Sequence, residues 1–247
     1  MALSVLCGLA LGLVLNLLAD WLPQRILPPA DPASGTSAGS ARRPLRWGAL
    51  WLLSIGLVWH LRSTAAVPLQ LLGETGAALT YCSLLLLIAT IDLEHRLVPN
   101  VLILAGLILA IGFSLLSPAR GALRGHASGL TTALLGAAVG GGLFLLLALA
   151  RRNALGAGDV KLALLIGMLT GFPWVLQALV LGIVLGGLAA AVLLLFRLRG
   201  PKHYIPYAPY LAAGAIATLL YGPRIGQWYA TLVLRLAFLA RLAGAGG

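Results

Sequence analysis

Charge is scarce in this chain, and acid scarcest of all: six Asp and Glu stand against seventeen Lys and Arg, and charged residues make up 9% of 247. Soluble domains carry charge on about a quarter of their residues. A chain that is 60% hydrophobic, with a mean hydropathy of +1.00, lies outside that class and reads as a polytopic membrane protein. Cysteine is almost absent too. Cys7 and Cys82 both lie in apolar runs, which excludes a disulfide framework and a CxxC zinc site and leaves them as small buried residues. In a soluble protein the net charge of +11 would point to nucleic acid. Here basic residues in short loops orient helices and meet anionic headgroups, so the partner read from charge is the lipid bilayer, not nucleic acid.

Apolar runs long enough to cross a bilayer, about 20 residues each, fall at 2–20, 45–62, 69–92, 97–117, 127–150, 174–197 and 205–222. A shorter one, 159–172, reaches only about two thirds of the hydrocarbon thickness at a rise of ~1.5 Å per residue. Such a helix can begin below the membrane surface, inside the protein. The fold expected is therefore all-α, a membrane bundle of about eight transmembrane helices. The stretch 1–19 lacks the basic start of a secretory signal and reads as a retained first helix. Residues 1–222 form the membrane domain, with 23–46, rich in Pro, Ala, Ser and Gly, as a flexible loop facing the cytoplasm. The tail 223–247 sets Arg224, Arg235 and Arg241 among apolar residues and predicts a further amphipathic helix at the interface.

If loops alternate sides, one face collects Arg25, Arg42, Arg43, Arg46, Arg96, Arg151, Arg152, Lys161, Arg197, Arg199 and Lys202. The other collects Arg62, Arg120, Arg124 and the tail arginines. The richer side is the cytoplasmic one. No internal repeat of the kind that marks inverted-repeat transporters is visible.

Against this background two acids stand out, each at the end of an apolar run, where an ionisable group is costly and marks function. Asp92 lies in Ile-Asp92-Leu-Glu-His-Arg-Leu-Val-Pro99-Asn100, and Asp159 in Gly156-Ala-Gly158-Asp159-Val-Lys161. The topology read from the basic residues puts both on the same membrane face. Two carboxyls that share one proton can hydrolyse a peptide bond, one ionised to activate water and the other protonated to donate to the carbonyl oxygen. Pro99 restricts the residue before it to extended conformations and starts the next helix. Gly156 and Gly158 permit positive φ and a close backbone approach at Asp159. Asp159 falls near a helix N-terminus, where free N–H groups favour a carboxylate. The competing reading is a small transporter or channel in which Asp92 and Asp159 bind cations or relay protons.

These two motifs resemble the signatures of the type IV prepilin peptidases, the GxGD membrane aspartic proteases. Leu15-Asn16-Leu-Leu-Ala-Asp-Trp-Leu22-Pro23 and Ile205-Pro206-Tyr207-Ala-Pro209-Tyr210-Leu211-Ala212 resemble further stretches of the same family, in order and with similar spacing. The resemblance implies an eight-helix protease that removes the short basic leader from prepilin or pseudopilin precursors at the cytoplasmic membrane face, in pilus assembly or type II secretion. It implies Asp92 and Asp159 as the catalytic pair and no metal or cofactor for cleavage. Many members also N-methylate the new amino terminus and carry CxxC zinc motifs in a large first loop. Here that loop has no cysteine, so zinc is not expected, and S-adenosylmethionine is expected only if methylation is retained.

Other polar residues have simpler readings. Glu94, His95 and Arg96 fit a solvated loop beyond a helix end. Lys161 fits substrate or lipid contact, or simple orientation. His203 and Tyr204 fit the interface, and Glu74 a water-facing helix end.

Overall fold

A computed structural model describes residues 2–26, 38–64, 74–116, 129–150, 156–196 and 206–245. They form eight helices: α1 (Ala2–Ile26), α2 (Ala38–Thr64), α3 (Glu74–His95), α4 (Asn100–Leu116), α5 (Leu130–Ala150), α6 (Ala157–Thr170), α7 (Trp174–Leu195) and α8 (Ala208–Ala245). Among the described residues there is no strand, so the all-helical bundle read from the apolar runs is the fold observed. Four segments, Val5–Arg25, Gly76–His95, Leu130–Ala150 and Trp174–Leu193, are long and apolar enough to cross a membrane, and α4 is a shorter apolar helix. Backbone groups in lipid must be satisfied within the segment, which is why helices are the solution.

The short helix α6 is the hub. Leu162, Ala163, Leu165, Ile166 and Leu169 are all fully buried, and α4, α5, α7 and α8 pack around it. A helix apolar on every face belongs inside a bundle. The outer surface is the reverse: Leu52, Leu116, Leu146 and Leu195 stand 67–80% exposed, an apolar skin suited to lipid.

Glycine sets how closely α5 and α6 approach. A Cβ on Gly136 would lie 2.2 Å from the Gly167 carbonyl oxygen, and one on Gly140 2.5 Å from that of Ala163. After α6 the chain turns at Gly171, whose φ of 70° suits only glycine comfortably. The next N–H, from Phe172, donates to the Thr132 carbonyl at 2.9 Å and ties the turn back to α5.

Several expectations change. The helix begun at Ala208 runs without interruption through Pro223 to Ala245, so the expected C-terminal helix is an extension of the last spanning helix. The 23–46 stretch is helical at both ends, since α1 continues to Ile26 and α2 starts at Ala38; residues 27–37 lie outside the described ones. Cys82 is buried as expected, but Cys7 is exposed on the outer side of α1. Arg120, Arg124, Arg151, Arg152, Arg197, Arg199, Lys202, His203 and Tyr204 lie outside the described residues, as does the side chain of Glu74.

Candidate active site

Asp92 sits in the last turn of α3 and Asp159 in the first turn of α6, and both are buried, at 6% and 7% exposure. The fold brings them within Coulombic reach of each other. They are 67 residues apart in sequence, and α3 and α6 deliver them to one end of the bundle.

A third element completes the site. The N-terminus of α8 points its first free N–H, that of Ala208, at the Asp92 carboxyl, while Tyr207 stands near Asp159. Early N–H groups of a helix have no intrahelical acceptor and are available for this. The Tyr207 ring packs against α7: a Cβ on Gly186 would come 2.7 Å from it. The 205–212 motif thus supplies both a backbone donor and an aromatic ring, roles that its side-chain pattern alone did not announce.

Local geometry at Asp159 departs from the expectation for its glycines. Gly156 is the N-cap of α6 with φ −73° and ψ 144°, an ordinary extended conformation. Gly158 lies inside the helix, and neither is among the positive-φ glycines, Gly129 and Gly171. What holds is the close approach: a Cβ on Gly158 would meet Val98 at 3.3 Å. Asp159 also turns back on its own N-cap, its carboxyl taking the Gly156 N–H and its own N–H donating to the Gly156 carbonyl at 3.0 Å. The first is half of a capping box; glycine has no side chain to return the other half.

The segment that follows Asp92 folds over this turn. Arg96 adopts φ 53°, an uncommon left-handed conformation for a side-chain residue, and its N–H donates to the Asp92 carbonyl at 2.8 Å. Pro99 then accepts from Leu102 and Ile103 at the start of α4. Lys161 Nζ donates to Asn100 Oδ1 at 2.9 Å, linking the two motifs directly.

One cluster had no counterpart in the sequence reading. Arg46 on α2 reaches Asp20 on α1 at 2.5 Å and Glu94 on α3 at 2.6 Å, with its side chain only 9% exposed. Glu94 and His95 therefore belong to the last turn of α3, not to a loop, and Glu94 is ion-paired although exposed. The signal available was weak: partners 26 and 48 residues away leave no local spacing to read. Among the described residues no three His, Cys, Asp or Glu side chains gather in a metal-ligating group.

Residues 79–192 match the model of the Type IV leader peptidase family, a stretch holding both Asp92 and Asp159. Over that stretch, a little under half of its length, the chain is similar to the type IV leader peptidases. It is similar to the prepilin leader peptidase/N-methyltransferase of Bacillus subtilis, at 30% identity over 65% of this chain and 62% of that protein. It is also similar to those of Pseudomonas aeruginosa, at 32% over 80% and 64%, and Stutzerimonas stutzeri, at 28% over 77% and 62%. The chain spans somewhat over three fifths of the length of these relatives. No solved structure matches it significantly. The family match supports the peptidase reading and does not favour a transporter. It extends from α3 to α7 and leaves Asp20, Arg46, Tyr207 and Ala208 outside.

Proposed function

We propose that this protein is a membrane aspartic endopeptidase that removes the basic leader from type IV prepilin or pseudopilin precursors. Asp92 and Asp159 are the catalytic pair, acting at the cytoplasmic face of the cell membrane. The observation that carries the reading is the meeting of two buried carboxyls from distant helices at one end of a membrane bundle. Like charges held close disfavour double ionisation, so such a pair holds one proton between them.

Hydrolysis then follows without a metal or cofactor. The ionised carboxyl takes a proton from water as its oxygen attacks the scissile carbonyl carbon, and the protonated carboxyl donates to the carbonyl oxygen. Collapse of the tetrahedral intermediate breaks the C–N bond: the leaving nitrogen takes the proton of the carboxyl that had deprotonated water, and a hydroxyl of the intermediate gives its proton to the other carboxylate, which restores the shared-proton state. Ala208 N–H holds the Asp92 carboxyl in place during these transfers. S-adenosylmethionine enters only if N-methylation accompanies cleavage, and the described residues single out no site for it. The lipid bilayer holds the precursor's apolar helix beside the site.

The test is reconstitution in vesicles with a precursor bearing a basic leader, followed by gel shift. Leader removal by the wild-type chain, lost in both Asp92→Asn and Asp159→Asn, supports the assignment. Cleavage retained in either variant, or absent from the wild-type chain, overturns it.

A further inference from the structure

We propose that Lys161 is a positioning residue. With Asn100 it clasps the segment that leaves Asp92 onto the first turn of α6, and so sets how the two carboxyls face each other. The inference rests on the proposed peptidase reading but makes a structural claim of its own.

Between the end of α3 at His95 and the start of α4 at Asn100 lie only four residues, Arg96 to Pro99. They connect the helix end bearing Asp92 to a helix that packs on α6. Two contacts join this connection and the first residue of α4 after it to α6, namely Val98 over Gly158 and Lys161 Nζ on Asn100 Oδ1. Residues 158 and 161 are three apart and share one helix face. That face meets the connection, while Asp159 is turned from it toward the site.

The clasp is not what keeps α6 in the bundle. Lys161 and Asn100 are both exposed, and an exposed hydrogen bond of this kind adds little to stability. The glycine contacts to α5 and the fully buried leucines hold the helix. The exposed bond instead fixes the register between α6 and the Arg96–Pro99 connection. A displacement of about 1 Å at a reacting group can cost up to two orders of magnitude in rate. With its ammonium engaged by Asn100, Lys161 acts on the site through the connection and not by meeting substrate.

The experiment pairs steady-state cleavage with hydrogen exchange of the detergent-solubilised full chain. Lys161→Met and Asn100→Leu should each lower kcat about tenfold with KM changed less than about twofold, and the double variant should be no worse than either single one. Asn100→Asp, which still accepts from the ammonium, should retain near wild-type kcat. Amide exchange at Arg96, whose N–H is held by the Asp92 carbonyl, should quicken in Lys161→Met while α5 and α6 stay protected. A raised KM at unchanged kcat in Lys161→Met would make Lys161 a substrate contact. That result, additive single effects, full activity in Asn100→Leu, or unchanged exchange overturns the clasp. If the wild-type chain cleaves nothing, the peptidase reading fails, and the exchange data still decide the clasp.

Discussion

Gly136 and Gly167 meet backbone to backbone, with a Cβ on either one falling within about 2.2 Å of the carbonyl oxygen of the other. No rotamer change relieves such an overlap, because the obstructing atoms are main chain. Gly167→Ala should therefore push α6 away from α5 and destabilise the bundle by roughly 1–3 kcal/mol or more, with cleavage lost as Asp159 moves. Gly142→Ala is the control: it lies on the same helix as Gly136 with no atom within 4 Å of its Cβ position. It should be neutral or slightly stabilising, read as the detergent melting temperature of each variant.

Arg46 pairs with both Asp20 and Glu94 and so ties α1, α2 and α3 at the end that carries Asp92. Arg46→Met leaves two carboxylates facing each other without a counter-ion. The acids are partly open to water, which puts the cost between that of a surface pair and a buried one, about 1–3 kcal/mol. Adding Asp20→Asn and Glu94→Gln to Arg46→Met should recover much of that loss, since no unpaired charge remains. A triple variant as unstable as Arg46→Met would assign the effect to lost packing of the arginine stem.

The contrast between these two features shows what a linear sequence reveals. Helix positions were legible because apolar runs of bilayer length mark them, and α6 was legible as short because its apolar run, 159–172, falls well short of that length. Asp92 and Asp159 stood out because acids are rare here and each ends an apolar run. The Arg46 cluster was hidden because its members come from three helices. The Ala208 contact was hidden because a backbone N–H has no residue signature. Pro99 correctly marked the start of α4. Pro223 misled, because a proline within a helix lacks one N–H yet does not force the chain to stop.

That proline offers a test of its own. Pro223 removes the donor that the Leu219 carbonyl would otherwise receive, at a general cost of up to about 3 kcal/mol in a helix interior. It lies fifteen residues from Ala208, roughly 22 Å along α8, well away from the two aspartates. Pro223→Ala should raise the melting temperature and leave cleavage unchanged. Reduced cleavage would show that the helix direction set at Pro223 governs how the α8 N-terminus meets Asp92.

At Gly158 two opposing effects can be separated. Alanine is favoured over glycine within a helix by roughly 0.5–1 kcal/mol, but its methyl would meet Val98 Cβ and Cγ2 at 3.3 Å, tighter than ordinary contact. Val98 is half-buried and belongs to a short connection, so it can yield, and the stability of Gly158→Ala should stay within about 1 kcal/mol of wild type. Cleavage should fall, because the connection that yields is the one leading directly from Asp92. Val98→Ala in the same background removes Cγ2, one of the two atoms in conflict, and should restore the rate in part. A double variant as slow as Gly158→Ala would place the requirement for glycine at Asp159 itself, where bare backbone would have to admit the substrate.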